Sequence, residues 1–266
     1  MRILLACREG LLLHDGVWRQ LDCPLASPDL VAHSDGAVAA ADNAAHLLWH
    51  SRTIPCDRDI EALMLWQHYA LALSSDTDCL SIADPDGWLV TARVGIYPQD
   101  MCLSGSSVLV CGGADGQVHH LSLPELHILR TFHVPGIALR IHANGDTAHV
   151  LCSSGDEHMY TLLGRIDLAT GAYAEIARLP GLPGAVQADA AGVWAAVTER
   201  LYHFPTGETQ PDILLDGFGL IRYLERCSDG LLITDPLEDM VAQLTFGAGA
   251  QLRPLYRSTI GQAIFI

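Results

Sequence analysis

The chain has 266 residues, half of them apolar, and it carries a formal net charge of −16. All fifteen basic residues are arginine, which excludes chemistry that needs a lysine, such as a Schiff base, a P-loop or a Ser-Lys dyad. The strong negative charge and the lack of any basic cluster argue against nucleic acid as a partner.

Three short apolar stretches open the chain and predict three β-strands. They run from Arg2 to Cys7, from Leu11 to Asp15 and from Val17 to Leu21, with turn residues between them. Stretches of this length, separated by glycine and aspartate, are typical of antiparallel strands that follow one another. A four-stranded repeat would need one more strand before them.

The rest of the chain repeats this pattern at a spacing close to the roughly 40 to 50 residues of propeller blades. The segment 57–72 is the one place where a helix could form, and we interpret it as the first two strands of its repeat. The clearest repeat predicts strands at Asp100 to Ser104, Val108 to Cys111, Val118 to Leu123 and Leu126 to Phe132. First strands are predicted to begin near Asp29, Ile60, Pro98, Ile137, Gly184, Gly219 and Ile260.

The two ends of the sequence complement each other. The last stretch, Ile260 to Ile266, has no strands after it, and the three opening strands lack a first strand. Joined, they complete one sheet, and this closure removes the free edges that an open stack of sheets would expose. The sequence therefore predicts an all-β chain with one domain over residues 1–266, a seven-bladed β-propeller in which the C-terminal strand joins three N-terminal strands.

One segment carries a resemblance to a known group of proteins. Residues 165–171, Arg-Ile-Asp-Leu-Ala-Thr-Gly, together with residues 172–180, resemble the third strand, turn and fourth strand of bacterial YVTN/YncE-type seven-bladed propellers. Residues 108–136 repeat the pattern more loosely. The resemblance implies the propeller fold. The chain lacks a Tyr-Val-Thr-Asn string and the Gly-His and Trp-Asp pairs of WD40 repeats, so no site residue is carried over from either group.

Targeting and cysteine patterns predict a cytoplasmic protein. The apolar run Ile3 to Ala6 is shorter than the core of a signal peptide, and no stretch reaches the roughly 18 apolar residues of a membrane span. The eight cysteines include no Cys-x-x-Cys pair, and most of them lie in predicted strands as small buried apolar residues. We therefore expect no membrane partner.

Catalytic motifs are absent from the sequence, so the candidate site comes from the predicted geometry. The sequence has no His-Glu-x-x-His and no Gly-x-Ser-x-Gly motif. In a propeller the first strand of each blade lines a central channel. Polar residues near the start of these strands are candidate ligand-binding residues at the channel mouth: Asp29, Glu61, Asp100, Arg140, Gln187, Arg222 and Gln262.

Acidic residues are concentrated in the turns between second and third strands, on the same predicted face. They are Glu9, Asp42, Asp76, Asp78, Asp115, Asp156, Glu157, Glu199, Asp235, Glu238 and Asp239. One interpretation is a polar mouth that binds a small polar ligand, a cation or a basic peptide. The other is that arginines and acids satisfy one another and that turn aspartates bind their own backbone.

Two functions from different classes remain open. The favoured one is a non-catalytic scaffold with an acidic face that binds a protein or peptide, a basic partner being the best match, and that needs no cofactor. The alternative is a propeller enzyme of the lactonase or lyase type. In that case three of Asp29, Glu61, Asp100 and Gln187 would hold Ca²⁺ or Mg²⁺ as a Lewis acid at the channel.

Overall fold

The structure is a computed structural model that describes residues 2–25, 27–34, 37–42, 46–49, 52–56, 60–154, 159–227, 229–246, 250–257 and 260–265. These residues contain twenty-eight β-strands and no helix. Turn residues interrupt the apolar runs before a helical period can develop, and runs of this length are stable only when they pair as strands.

The strands form seven four-stranded sheets, numbered here along the chain. Sheet 1 contains β1 (Ile3–Cys7), β2 (Gly10–His14), β3 (Trp18–Leu21) and the last strand, β28 (Ile260–Phe265); sheet 2 contains β4 (Pro28–Ser34), β5 (Ala37–Asp42), β6 (His46–Trp49) and β7 (Arg52–Pro55). Sheet 3 contains β8 (Ala62–Trp66), β9 (Tyr69–Ser74), β10 (Cys79–Asp84) and β11 (Gly87–Arg93); sheet 4 contains β12 (Asp100–Ser104), β13 (Ser107–Cys111), β14 (Gln117–Ser122) and β15 (Ile128–His133).

The remaining three sheets have the same consecutive order. Sheet 5 contains β16 (Ile137–Asn144), β17 (Thr147–Ser153), β18 (Tyr160–Asp167) and β19 (Tyr173–Pro180). Sheet 6 contains β20 (Pro183–Asp189), β21 (Gly192–Val197), β22 (Arg200–Pro205) and β23 (Ile213–Asp216). Sheet 7 contains β24 (Tyr223–Cys227), β25 (Gly230–Asp235), β26 (Met240–Thr245) and β27 (Gln251–Arg257).

Two compact units can be distinguished along the chain. The first comprises Met1–Ala72, Ser81–Leu89 and Arg222–Ile266, and the second comprises Leu73–Leu80 and Val90–Ile221. Sheets 1, 2 and 7 lie in the first unit and sheets 4, 5 and 6 in the second, while the residues of sheet 3 are divided between them.

The hydrophobic core lies between the faces of neighbouring sheets. In the second unit, Leu109 and Phe132 of sheet 4 pack with Val150 and Ile166 of sheet 5, and a further cluster joins sheets 5 and 6. In the first unit, similar clusters join sheets 7 and 1 and sheets 1 and 2. The second strands β13, β21 and β25 are buried at every position, because they are covered on both faces.

Sheet 1 is built from both ends of the described chain. β28 pairs antiparallel with β1, with Leu4 opposite Ile264 and Leu5 opposite Ala263. This pairing confirms the prediction that the C-terminal strand joins three N-terminal strands. β28 also runs close to sheet 2, where a Cβ atom on Gly261 would overlap the backbone of Asp29.

The segment that carries the propeller resemblance forms a tight turn between β18 and β19. Asp167 Oδ1 accepts a hydrogen bond from the Thr170 N–H at 2.7 Å, which holds the pKa of the Asp167 carboxyl below its ordinary value. Gly171 completes the turn with a φ of 81°, a conformation that favours glycine. From sheet 4, Arg130 donates hydrogen bonds to the carbonyl groups of Ala169 (2.8 Å) and Thr170, so the turn also ties two sheets together.

The chain is therefore an all-β protein with the seven-bladed β-propeller fold, as the sequence predicts. The predicted first strands begin within about four residues of the observed ones. The segment that could have been helical contains β8 and most of β9, which confirms its interpretation as strands; residues 57–59 lie outside the described part of the chain.

Candidate functional site

The seven polar residues predicted to bind a ligand all lie on first strands or one residue before them. Arg140 is buried and the other six are partly buried, so none of them projects freely into solvent. Their contacts show how each side chain is used. Gln187 lies on β20, opposite Trp194 of β21.

In the second unit, Asp100 and Arg140 connect the first strands of sheets 4, 5 and 6. Asp100 Oδ2 accepts a hydrogen bond from the N–H of Ile141 on β16 at 3.0 Å. Arg140 Nε donates to the carbonyl oxygen of Gly184 on β20 at 2.7 Å, and one of its terminal nitrogens donates to the Leu139 carbonyl at 2.6 Å. A β-bulge between Ala138 and Arg140 shifts the register of β16 at this point. Both side chains therefore bind backbone groups of neighbouring strands.

In the first unit, Arg222 and Glu61 come together, and Gln262 binds the strand that carries Asp29. Arg222 and Glu61 form an ion pair of 3.9 Å between Nη2 and Oε2, with the side chains 33% and 29% exposed. Gln262 Oε1 accepts a hydrogen bond from the N–H of Val31 on β4 at 3.1 Å, close to Asp29 on the same strand. The Arg222–Glu61 contact is the kind of pair expected from the interpretation in which arginines and acids satisfy one another.

Several of the acidic turn residues are also bound within their own turns. Asp42 accepts a hydrogen bond from the His46 N–H at 3.0 Å, and Asp235, which is fully buried, accepts one from the Glu238 N–H at 3.3 Å. Asp78 pairs with Arg93 at 3.0 Å, and Asp115 accepts from the Gln117 N–H. The hydrogen bonds of Asp42, Asp115 and Asp235 are ordinary turn chemistry, whereas the Asp78–Arg93 contact is an ion pair between separate segments.

Other acidic turn residues remain exposed to solvent: Glu9, Asp76, Glu199, Glu238 and Asp239. Asp156 and Glu157 lie outside the described residues. Of the nine predicted turn carboxylates among the described residues, five are therefore exposed and four are bound by neighbouring groups.

The structure also brings together an apolar surface that the sequence analysis missed. Met159 and Leu182 are 58% and 43% exposed. The Gly181 N–H donates to the Met159 carbonyl at 3.0 Å, and Leu182 N donates to Thr198 Oγ1 at 2.8 Å, which places the exposed Glu199 beside them. We call Met159, Leu182 and Glu199 the apolar patch. Leu182 lies in a Pro-Gly-Leu-Pro turn, and turns of this composition lie at the surface. This sequence pattern could therefore have indicated that Leu182 is exposed.

A cavity of about 260 Å³ lies between sheets 5 and 6, also in the second unit. His149 and Arg165 line it from sheet 5, and Asp189, Val193 and Phe204 line it from sheet 6. Burial, followed by the influence of His142 and Arg165, lowers the pKa of His149 to about 4. The imidazole is therefore neutral near pH 7. The cavity depends on two sheets meeting, so no local sequence pattern predicts it.

The described residues contain neither a metal-binding cluster nor a membrane-spanning helix. No three His, Cys, Asp or Glu side chains in the described ranges converge in a way that could hold a metal ion. The described residues also contain no helix of the length and apolar character needed to cross a bilayer.

Comparison with known proteins supports the fold and assigns no family. No known family matches the sequence, and no curated protein matches it. Among solved structures, the chain resembles a candidate 6-phosphogluconolactonase from Bacteroides uniformis, at 11% identity and a TM-score of 0.77, over 100% of this chain and 99% of that one.

Two further solved structures share this architecture. The WD40 β-propeller domain of Doa1 is 9% identical, with a TM-score of 0.68 over 88% of this chain and 86% of that one. BamB from Moraxella catarrhalis is 14% identical, with a TM-score of 0.64 over 96% of this chain and 86% of that one. Identities this low indicate the fold alone, and the predicted resemblance to bacterial propellers is confirmed at that level.

Proposed function

We propose that this propeller is a non-catalytic scaffold that binds a basic protein or peptide segment through the apolar patch. The observation that carries the proposal is the exposure of Met159 and Leu182 in neighbouring segments, which the Gly181–Met159 backbone hydrogen bond joins, with Glu199 following Thr198, to which Leu182 is bonded. Exposed apolar side chains that lie together, bordered by polar ones, are characteristic of protein-binding surfaces. Met adapts its shape to different partners, which suits a binding surface.

Charge determines the kind of partner that fits best. The chain carries a net charge of −16, and the charged member of the patch is an acid. A segment with alternating basic and apolar residues would match both the surface charge and the apolar side chains. Proteins with the same fold include a WD40 domain and BamB, whose low identity makes them a parallel in architecture only.

A photo-crosslinking residue placed at Leu182 tests the proposal in cells. The matched control places the photo-crosslinking residue at Leu214 on β23 of sheet 6. Leu214 is 49% exposed and lies outside the patch. We expect discrete protein adducts from position 182, absent from position 214 and lost when Glu199→Arg is added. Equal adduct patterns at the two positions, or no adduct from position 182, would contradict the proposal.

The cation-dependent enzyme is the alternative, and the geometry gives it less support. It needs three oxygen ligands free to converge on one ion, whereas Asp100 binds the Ile141 N–H and Glu61 pairs with Arg222. Both carboxylates therefore already have a partner within the protein. Thermal unfolding with and without Ca²⁺, Mg²⁺ or Mn²⁺ separates the two functions. A stabilisation that Glu61→Gln abolishes would favour the enzyme.

We propose the cytoplasm as the location of the protein. All eight cysteines are free thiols in the structure, and burial raises the pKa of Cys7 to about 11 and that of Cys152 to about 12. Buried, unpaired thiols suit a reducing compartment. Cell fractionation with a tagged chain checks this location, and recovery outside the cytoplasmic fraction would contradict it.

A further inference from the structure

The cavity between sheets 5 and 6 combines an apolar floor with charged walls. Val193 and Phe204 of sheet 6 are buried and form apolar surface at its base. Ala174 and Ile176 of β19 contribute further apolar surface from the other wall. Pockets that hold drug-sized ligands are roughly 300 to 1,000 Å³. A cavity of about 260 Å³ therefore suits a smaller molecule with an apolar part.

The wall formed by sheet 5 carries the guanidinium of Arg165. His142, His149 and Arg165 lie opposite one another on β16, β17 and β18 and share one face of the sheet. Both histidines are neutral near pH 7, because burial lowers the pKa of each to about 4. Arg165 is exposed at the mouth, and within the described part of the chain its guanidinium makes no hydrogen bond or ion pair. Its neighbour Asp167 is bound to the Thr170 N–H.

The opposite side of the cavity is acidic. Asp189 lies on this wall, where Oδ1 accepts hydrogen bonds from the N–H groups of Ala191 (2.8 Å) and Gly192 (3.3 Å), and Glu208 is exposed at the rim. A third carboxylate, that of Glu175 on β19, lies on the same wall as Arg165 and pairs with Arg178 at 3.4 Å. The cavity thus has the Arg165 guanidinium on the sheet 5 wall, where Glu175 pairs with Arg178, two carboxylates on the sheet 6 side, and apolar lining from both sheets.

We propose that this cavity binds a small zwitterion with an apolar body, such as an amino acid with an aliphatic side chain. The ligand carboxylate pairs with Arg165, where a guanidinium provides two parallel donors. The ligand ammonium group faces Asp189 and Glu208, and the aliphatic side chain covers Val193 and Phe204. This site is separate from the apolar patch and does not depend on the proposed scaffold function.

Titration calorimetry of the whole chain with L-leucine and two single-charge analogues tests the inference. The analogues are 4-methylpentanoate, which lacks the amino group, and 3-methylbutylamine, which lacks the carboxylate. We expect leucine to bind and each analogue to bind at least about tenfold more weakly, because each loses one charged contact. No heat from leucine at millimolar concentration, or equal binding of either analogue, overturns the proposal.

Amino-acid substitutions test whether leucine binds in this cavity. Arg165→Gln is expected to weaken leucine binding at least about tenfold and to leave binding of 3-methylbutylamine unchanged. Arg200→Gln is the matched control, because Arg200 is an exposed arginine of sheet 6 that pairs with Asp216 and lies outside the cavity. A second variant, Ala174→Trp, fills the mouth without changing a charge and is expected to abolish binding. Unchanged leucine binding in Arg165→Gln or in Ala174→Trp overturns the assignment.

Discussion

Polar side chains on the first strands of several sheets bind backbone N–H groups of the neighbouring sheet. Asp100, His142 and Gln262 each accept one hydrogen bond in this way, from Ile141, Ala188 and Val31 respectively. Backbone groups that are removed from water need a partner, and first strands of neighbouring sheets cannot pair with each other as a ladder. These residues therefore provide the connection that strand pairing cannot.

Substitutions at Asp100 test this role. We expect Asp100→Ala to lower the free energy of unfolding by about 1–3 kcal/mol, because the Ile141 N–H loses its acceptor. Asp100→Asn keeps an amide oxygen at the same position and should retain most of the stability. Urea denaturation measures both, with Asp86→Ala on an exposed turn as the control. Equal losses in the Ala and Asn variants would show that the charge, and not the acceptor, is what the site requires.

The partly buried histidines of sheet 5 make stability depend on pH. His149 is protonated near pH 6.5 in the unfolded chain and only near pH 4 in the folded one. As the pH falls from 6.5 to 4, the unfolded state binds a proton that the folded state does not bind, so unfolding becomes more favourable. Above pH 6.5 neither state binds it and the effect disappears.

We therefore expect acidification to reduce the stability of the native protein relative to His149→Asn. The relative loss between pH 7 and pH 4.5 should be on the order of 2–3 kcal/mol. Denaturant unfolding at several pH values measures it. The exposed residue His68 provides a control, since His68→Asn should follow the pH dependence of the native protein. A constant difference between the native protein and His149→Asn across this range would contradict the expectation.

At the scale of elements, the contact between β28 and β4 depends on a residue without a side chain. A Cβ atom on Gly261 would overlap the backbone oxygen and Cα of Asp29, and backbone atoms cannot move aside as the end of a flexible side chain can. Neighbouring first strands can approach this closely only if one of them carries glycine at the crossing.

Gly261→Ala should therefore destabilise the protein by about 2–4 kcal/mol, because β28 must shift away from sheet 2 or from β1. Gly105→Ala is the matched control: the space around Gly105 is open, and its φ of 61° gives a conformational cost of about 1–2 kcal/mol. Thermal or urea unfolding compares the two. A loss for Gly261→Ala no greater than that of Gly105→Ala would contradict the close approach.

At the scale of the whole molecule, the sequence predicts the strands and their order well. Glycine, proline and aspartate turns fix where strands stop, and these signals are local. The prediction for sheet 4 agrees with β12 at both ends and differs by one or two residues at the starts of β13, β14 and β15. The pairing of β28 with β1 was also predictable, because each end of the chain showed an incomplete repeat.

The candidate site was less predictable, because it depends on contacts between sheets. Sequence spacing places Asp100 and Gln262 near the starts of first strands, yet their acceptor oxygens are used by neighbouring backbone N–H groups. The bulge at Arg140 could not be derived from apolar alternation, which fixes a register only where strands are regular. The cavity and the apolar patch each combine residues from two sheets.

The pairing of β28 with β1 has a consequence for biosynthesis. Strands β1 and β2 are almost entirely buried in the finished sheet, and the partner that covers the edge of β1 is translated after the strands of the other six sheets. At usual rates of elongation, the nascent Ile3–Cys7 segment waits on the order of ten seconds to a minute at the ribosome before Ile260–Phe265 emerges. During that interval its free edge and apolar side chains are open to aggregation. A holdase chaperone that shields the emerging amino-terminal strands would protect the yield of folded protein.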